Sequence, residues 1–555
     1  MNQQQIKLRI GGMTCVHCAK HVTEALEAVP GVNSVQLPTW HSSHAIVVTD
    51  ADVSPDALTA AVQRAGYTAV IEENMPLRPI NVELPNDVTQ YDFDLIVIGG
   101  GSGGFAAAIT ASELGNRVAL INAGTIGGTC VNVGCVPSKT LIRSAEAWHK
   151  AGNNPFKGAS TAQVSLDWST IRAQKDALVS SLRQSKYLDV LAAYPDITFI
   201  EGRAAFQAGG SVQVGDKTYR ANRYVVATGA QPRMYPFPGI EEAAPLNSTS
   251  LMNLEHLPKS LIVLGGRAVA LELGQMMARF GVEVLILQRS LRLVPEYEPE
   301  IGRAVQGYLE GEGIGVLTGV TIDRLSRDGD NRVVHARLMG QTREFRAEQI
   351  LLALGRQPNT AGMGLEFVGV QLDENGAIII NEYQQTTNPM IYAVGDVSTN
   401  PEHVYVAAAA GVTAARNATG GTQQPLDLSA LPSVIFTEPQ IATVGLTETA
   451  AKHAGYEVET HSVSLDYVPR ALAARDTRGM IKLVAERPTG RILGVHLVAA
   501  EAGEVIQTAT LAVKFGLTVA DLTGTLFPYL TQVEGLKLAA LSFTKDVTKL
   551  SCCAV

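Results

Sequence analysis

Cysteine is scarce in this chain, 6 among 555 residues, and tryptophan scarcer, at 3. So few thiols exclude a disulfide-stapled secreted scaffold and make every cysteine a candidate for chemistry. Basic residues are outnumbered, 44 against 53 acidic ones, and the net charge of −9 excludes nucleic acid as a general partner. No run approaches the ~20 apolar residues that span a bilayer, and the opening MNQQQIKLRI lacks the apolar stretch of a signal peptide. A cytoplasmic protein without a membrane anchor is expected. What is present is 46% hydrophobic residues, 17% charged ones and 52 glycines. That balance fits a globular α/β enzyme too long for a single core.

The cysteines fall into three close pairs. Cys15 and Cys18 lie in GMTCVHC, Cys130 and Cys135 in GGTCVNVGCVPSK, and Cys552 is followed directly by Cys553. A thiolate is both a soft-metal ligand and a two-electron redox group. Around the first pair, hydrophobic periodicity predicts strands over 6–10, 32–37, 45–48 and 67–71, with helices over 16–29 and 55–65. That βαββαβ order, with GMTCVHC in its first loop, resembles the heavy-metal-associated domain family and covers residues 1–72. Cys15 and Cys18 would flank the start of the first helix, where free N–H groups stabilise thiolates. Half a zinc site would need a second ligand pair nearby, and a thioredoxin-like redox pair a different order of elements, so capture of a soft ion is expected. Residues 73–91 carry three prolines and no helical period and read as a tether. Such a tether would deliver a bound ion at high effective concentration to another site on the protein.

A buried apolar strand over 94–98 runs into Gly99, Gly101 and Gly104, then an alanine-rich helix and a second strand over 117–121. This is the βαβ phosphate-binding fingerprint, in which glycines let the backbone approach a pyrophosphate at a helix N-terminus. The acidic residue expected after the second strand is Asn122, whose amide would bond a ribose hydroxyl more weakly. A second unit over 260–290 has Gly265 in its turn and Arg267 at the middle glycine position. Its second strand ends in Gln288-Arg289, and Arg289 can pair with a 2′-phosphate, which favours NADPH.

Between the two units, Cys-x4-Cys followed by Val-Pro-Ser-Lys resembles the pyridine nucleotide–disulfide oxidoreductase family. The resemblance runs over 92–550 through EGRAAF (201–206), VVATGA (225–230), LALGRQPNT (352–360) and IYAVGD (391–396). It implies FAD as cofactor, Cys130 as the interchange thiol and Cys135 as the thiolate against the flavin. Lys139 would sit near the flavin N5, paired with Glu272, and Asp396 would bind the ribityl chain. Gly124, Thr129, Ala205, Thr228, Gly229 and Val404 complete the implied cofactor contacts. A lysine there suits the chemistry, since a cation stabilises negative charge on the flavin and lowers a nearby thiol's pKa. The implied fold is α/β: two Rossmann-like domains, for FAD (92–247 and 361–430) and NADPH (248–360), plus an α+β dimerisation domain (431–555). The βαββαβ ferredoxin-like metal-binding domain precedes them.

Disulfide reductases of this family carry a His-x-His-Pro-x-x-x-Glu pattern near the end. The matching stretch, FPYLTQVE at 527–534, has lost both histidines. A tyrosine of pKa about 10 protonates a departing thiolate poorly, and Glu534 has no imidazole to orient. A metal ion on thiolates needs no proton shuttle and fits instead. The three thiol pairs together resemble the mercury(II)-reducing branch of the family. That resemblance implies a homodimer with shared sites, fed by small-thiol complexes of Hg(II) and by a mercury transporter or chaperone. Cys552 and Cys553 would pass the ion from Cys15 and Cys18 to Cys130 and Cys135 of the partner subunit, with Tyr187 and Tyr529 lining the path. The expected activity is NADPH-driven, FAD-dependent reduction of Hg(II) to Hg(0). A disulfide reductase of the dihydrolipoamide dehydrogenase type is the runner-up. A metal chaperone with an inactive flavin domain is opposed by the intact Cys130, Cys135 and Lys139. The last four residues also fit a prenylation box, though valine is a poor final residue for one.

Overall fold

The computed structural model describes residues 3–13, 16–37, 44–77, 91–156, 165–421 and 423–550. The chain forms two compact units. One comprises Met1–Asn132, Ser181–Gln231 and Arg356–Asp427; the other comprises Val133–Ser180, Pro232–Gly355 and Leu428–Val555.

In the first unit, helices Val16–Glu27 and Pro55–Arg64 pack on a four-stranded antiparallel sheet. Its strand order is Val32–Gln36, His44–Asp50, Gln3–Gly11, Thr68–Leu77. Strict alternation along His44–Asp50 turns Ala45 and Val47 inward, onto Ile6, Leu8, Val22, Leu26 and Leu58, all fully buried. The last strand is longer than the sequence suggests and pairs Gln3 with Leu77, so residues 73–77 belong to the sheet rather than to the tether. An edge strand tolerates a proline such as Pro76, because only one of its sides has a partner to satisfy.

The same unit holds a five-stranded parallel sheet in the order Ile391–Ala393, Ala221–Val226, Phe93–Ile98, Val118–Asn122, Ile197–Glu201. Burial on both faces explains the unbroken apolar run Leu95, Ile96, Val97, Ile98. Helix Ser102–Glu113 lies against helix Val404–Thr419 at small-residue distance: a Cβ on Gly411 would come 2.2 Å from the carbonyl oxygen of Gly103.

The second unit contains a four-stranded parallel sheet, Gly315–Thr318, Glu283–Gln288, Ser260–Leu264, Gln349–Leu352, backed by helix Ala268–Arg279. Its other large sheet has five antiparallel strands, ordered Pro432–Ile435, Gln440–Gly445, Ile492–Ala499, Met480–Glu486, Val458–Ser464. Helices Ala502–Lys514 and Glu534–Leu541 cover it through Val505, Ile506, Ala509, Leu536 and Ala540. The edge strand Val458–Ser464 buries only Val463, so its sequence carries little period-2 signal.

A buried ionic cluster fastens the parallel half of this unit to the antiparallel half. Lys482 Nζ lies 2.9 Å from Glu298 and 3.0 Å from Glu448, with Lys482 and Glu298 side chains 4% and 2% exposed. Glu298 also accepts the Glu448 N–H at 2.6 Å. Removing one member of a buried pair strands the other charge, at a cost of about 3–5 kcal/mol. Lys482→Met should therefore lower the urea midpoint of this unit by a corresponding amount. A loss below about 1 kcal/mol would mean the cluster behaves as a solvated surface network.

Candidate active site

Cys130 lies in the short helix Gly128–Asn132 and Cys135 opens the long helix Cys135–Gly152; both are half-buried. A thiol at a helix N-terminus has its thiolate favoured by the uncapped N–H groups. One turn further on, Lys139 Nζ donates to Glu272 Oε2 at 2.6 Å. The other carboxylate oxygen, Oε1, accepts the Phe436 N–H at 2.9 Å, and the Phe436 ring lies 4.8 Å from the ammonium. Glu272 is thus satisfied on both oxygens while only 6% exposed, which fixes a positive charge just along the helix from Cys135.

The first glycine turn is a cradle no side chain could enter. A Cβ on Gly99, which has φ +117°, would meet the Ala227 carbonyl oxygen at 2.3 Å, and one on Gly104 would meet the Gly99 oxygen at 1.9 Å. A Cβ on Gly128 would come 2.7 Å from the Cα of Gly101. Helix Ser102–Glu113 starts there with Gly101 as an N-cap that offers no side-chain acceptor. Uncapped N–H groups above a cradle of this kind fit a pyrophosphate.

Asn122 does something its position alone does not announce. Its Oδ1 accepts the Gly100 N–H at 3.0 Å and its Nδ2 donates to the Gly124 carbonyl at 2.5 Å, so the amide stitches the loop after its strand to the glycine turn. The second turn repeats the geometry: a Cβ on Gly265 would meet the Ala353 oxygen at 2.4 Å. Arg267 bonds Glu296 at 3.2 Å on the surface, and Arg289 stands exposed at the end of strand Glu283–Gln288.

Asp396 sits in the turn Gly395–Val397 with Arg356 at 3.5 Å; burial pushes its carboxyl above the usual range, although the guanidinium opposes this. Arg356 also reaches the Ala230 carbonyl and, at 3.5 Å, Thr129. Thr228 and Asn359 exchange hydrogen bonds of 2.9 Å, and the Asn359 N–H donates to Gly229. Ala205 is central in strand Ala204–Phe206, and Val404 is the first residue of helix Val404–Thr419. Tyr187 lies in a π-helical turn, Gln184–Leu188, with its ring edge-on to Phe105 at 4.8 Å and its hydroxyl 3.3 Å from Ser102 Oγ.

Tyr529 is 49% exposed. Glu534, 5% exposed, accepts the Leu530 N–H at 3.2 Å; burial raises its carboxyl, and that bond opposes the shift. Cys18 is buried near the start of helix Val16–Glu27. Cys15, Cys552 and Cys553 lie outside the described residues.

One group in this region carries no local sequence signal. Asn132 donates to the carbonyls of Ile126 and Gly128, both at 2.9 Å, and accepts Arg183 at 2.7 Å, which locks the turn bearing Cys130. Arg356, by contrast, lies inside the quoted LALGRQPNT run, and its half-buried guanidinium meets the aspartate of IYAVGD.

Comparison with known proteins agrees with this geometry. Residues 93–411 match the pyridine nucleotide-disulphide oxidoreductase family, residues 431–540 its dimerisation domain and residues 7–68 the heavy-metal-associated domain. The chain is 44% identical to the mercuric reductase of Lysinibacillus sphaericus over 99% of its own length and 100% of that protein's. It is likewise 44% identical to the mercuric reductase of Staphylococcus aureus over 100% of both. The mercuric reductase of Streptomyces lividans is 46% identical over 83% of this chain and 98% of that protein. Among solved structures, the HOCl-induced flavoprotein disulfide reductase RclA of Escherichia coli superposes with a TM-score of 0.74 at 28% identity, covering 81% of this chain and 100% of that one. The glycine cradles, the cysteine-bearing helices and the full-length identity lead to one assignment: this chain belongs to the mercuric reductases of the pyridine nucleotide–disulphide oxidoreductase family.

Proposed function

We propose that the chain reduces thiolate-bound Hg(II) to Hg(0) with electrons from NADPH, using FAD as its resident cofactor. When bound, NADPH supplies a hydride and FAD carries the two electrons to the thiol pair. The turn Gly99–Gly104 holds the FAD pyrophosphate, with Asn122 and Gly124 bracing it, and Asp396 takes the ribityl hydroxyls. Thr129, Ala205, Thr228, Gly229 and Val404 complete that cofactor's lining. Gly265 and Arg289 receive the coenzyme, with the exposed guanidinium matched to a 2′-phosphate. Lys139, fixed by Glu272, supplies the positive charge that favours a thiolate at Cys135 and electron-rich cofactor states beside it.

Hg(II) enters as substrate and exchanges from thiolate to thiolate. Cys15 and Cys18 collect it, Cys552 and Cys553 relay it, and Cys130 and Cys135 hold it for reduction, past Tyr187 and Tyr529. Two thiolates suit a soft cation, and stepwise exchange avoids a free toxic ion. The site is completed by a second subunit; the dimerisation-domain match and the exposed Phe515 and Leu526, 70% and 93% accessible, support that assembly. No helix among the described residues is long and apolar enough to cross a membrane, and reduced thiols suit the cytoplasm.

The observation that carries the choice of substrate is Glu534. It accepts the Leu530 backbone N–H, and Phe527 and Tyr529 stand where the pattern's two histidines would supply a near-neutral acid for a leaving thiolate. Purified protein mixed anaerobically with NADPH and Hg(II) under excess thiol should oxidise the coenzyme and release mercury vapour. Cys135→Ala should abolish the vapour, while the double change Cys15→Ala, Cys18→Ala should leave most turnover of small-thiol complexes. Faster turnover of glutathione disulfide or lipoamide than of Hg(II) would move the chain to the disulfide-reductase reading.

Coenzyme choice has its own test. A charge-assisted bond contributes about 1.5–3 kcal/mol, and 1.4 kcal/mol is tenfold. Arg289→Ala should raise the KM for NADPH about tenfold and leave that for NADH in place. Equal changes for both coenzymes would remove the phosphate contact.

A further inference from the structure

The second glycine turn departs from the fingerprint at one position, and the departure adds a charge. Where the middle glycine would stand, Arg267 is the N-cap of helix Ala268–Arg279, and its side chain gives that helix no capping hydrogen bond. The first turn of the helix holds no acidic residue either. In the other glycine turn the corresponding residue is Gly101, with the Gly128 backbone 3.6 Å from where its Cβ would stand. Arg267 lies in the open, its side chain 65% exposed.

Its partner is held from several sides. Arg267 Nε donates to Glu296 Oε2 at 3.2 Å, and Glu296 belongs to a loop over residues 289–298 whose other members are anchored. Val294, fully buried, donates its N–H to the Gly266 carbonyl at 2.9 Å, which ties the loop to the glycine turn itself. It does so at φ +39°, a left-handed conformation that a β-branched residue rarely adopts. The Arg292 guanidinium donates to the carbonyls of Pro295 and Tyr297. The Tyr297 hydroxyl lies 2.8 Å from Ser433 Oγ, and Glu298 is gripped by Lys482. The Glu296 carboxylate is thus fixed, and the long, exposed arginine is the member able to swing.

We infer that Arg267 binds the coenzyme: it leaves Glu296 to pair with the pyrophosphate of NADPH, and Glu296 is the counter-ion that keeps it at the mouth of the turn until then. This rests on the reading that the Gly265 turn receives the coenzyme. The exchange runs toward the stronger partner. Water screens an exposed arginine–carboxylate pair, which is favoured by at most about fivefold. A pyrophosphate carries two charged groups, and a planar guanidinium meets phosphate oxygens through two parallel N–H bonds. The uncapped helix N-terminus beside it favours an anion there as well. Glu296 is left in contact with water, since its side chain is already 29% exposed.

Two arginines then divide the coenzyme between them. Arg289 reads the 2′-phosphate, which only NADPH has. Arg267 takes the pyrophosphate, which NADPH and NADH share. The second position of the fingerprint has therefore exchanged a close backbone approach for a cation.

Calorimetric titration of the full-length holoenzyme with NADP⁺ and with adenosine 2′-monophosphate, in the absence of mercury, separates the two roles. The second probe carries the 2′-phosphate and no pyrophosphate. Arg267→Ala should weaken NADP⁺ about tenfold and leave adenosine 2′-monophosphate unchanged, whereas Arg289→Ala should weaken both. In steady state Arg267→Ala should raise the KM for NADPH and for NADH by the same factor. Arg267→Lys, which keeps the charge and loses the paired N–H geometry, should recover part of the loss. Glu296→Gln should tighten NADP⁺ by up to about fivefold. Wild-type affinity for NADP⁺ in Arg267→Ala overturns the inference, and so does a rise in KM confined to NADPH. Loss of adenosine 2′-monophosphate in Arg267→Ala overturns it too, because the damage would then reach beyond the pyrophosphate. Weaker NADP⁺ binding in Glu296→Gln rules out the exchange. Wild type that binds neither probe refutes the coenzyme reading of the turn, and the role of Arg267 falls with it.

Discussion

A half-buried lysine and a buried glutamate held 2.6 Å apart set the terms for this site. Lys139 and Glu272 lie 133 residues apart, and Glu272 reaches the Phe436 backbone over a further separation of 164. Three segments are thereby pinned at one carboxylate: the helix opened by Cys135, helix Ala268–Arg279 and the end of strand Pro432–Ile435. Buried ion pairs seldom stabilise more than apolar packing would, while breaking one costs about 3–5 kcal/mol. A pair of this kind is therefore better explained by the charge it holds in place than by stability. A fixed ammonium one turn from a helix-terminal thiol is an arrangement that favours a thiolate. Helix Ala268–Arg279 repeats the grip further along, with Gln275 and Arg279 on the Glu438 backbone.

The two glycine turns show how one backbone solution accommodates different side chains. In both, a carbonyl of a neighbouring strand end fills the space a Cβ would need, Ala227 for Gly99 and Ala353 for Gly265. They differ in how the turn is closed. Asn122 both accepts from Gly100 and donates to Gly124, a combination an ionised aspartate could not manage because it has no donor. The substitution that looks like a weakened ribose contact is, in the folded chain, a gain in loop order. In the second turn Arg267 lies on the surface with Glu296, so its side chain leaves the cradle open.

Much of this was legible from sequence because the signals are local. Glycine spacing, the cysteine motif and the unbroken apolar runs of the buried parallel strands each report on a handful of neighbouring residues. The small N-terminal sheet was legible for the same reason, apart from its last strand, where prolines at an edge imitate a tether. Strand Val458–Ser464, buried at one residue, has no alternation to read. What the sequence could not reveal is pairing across distance. Nothing near Asn132 announces Arg183, and Arg267 gives no hint of Glu296. Each of these residues alone is an ordinary polar position on a helix or loop; the chemistry arises only when tertiary packing sets two of them face to face.

The substrate argument and the interior charges converge on protons. An enzyme that opens a disulfide must protonate sulfur, and its fold keeps a titratable group near the leaving thiolate. Here Tyr529 is half exposed and Glu534 accepts the Leu530 N–H, with phenylalanine and tyrosine at 527 and 529 in place of the pattern's histidines. Glu438, whose carboxyl burial pushes up to about 7, lines a cavity together with Lys139 and Glu272.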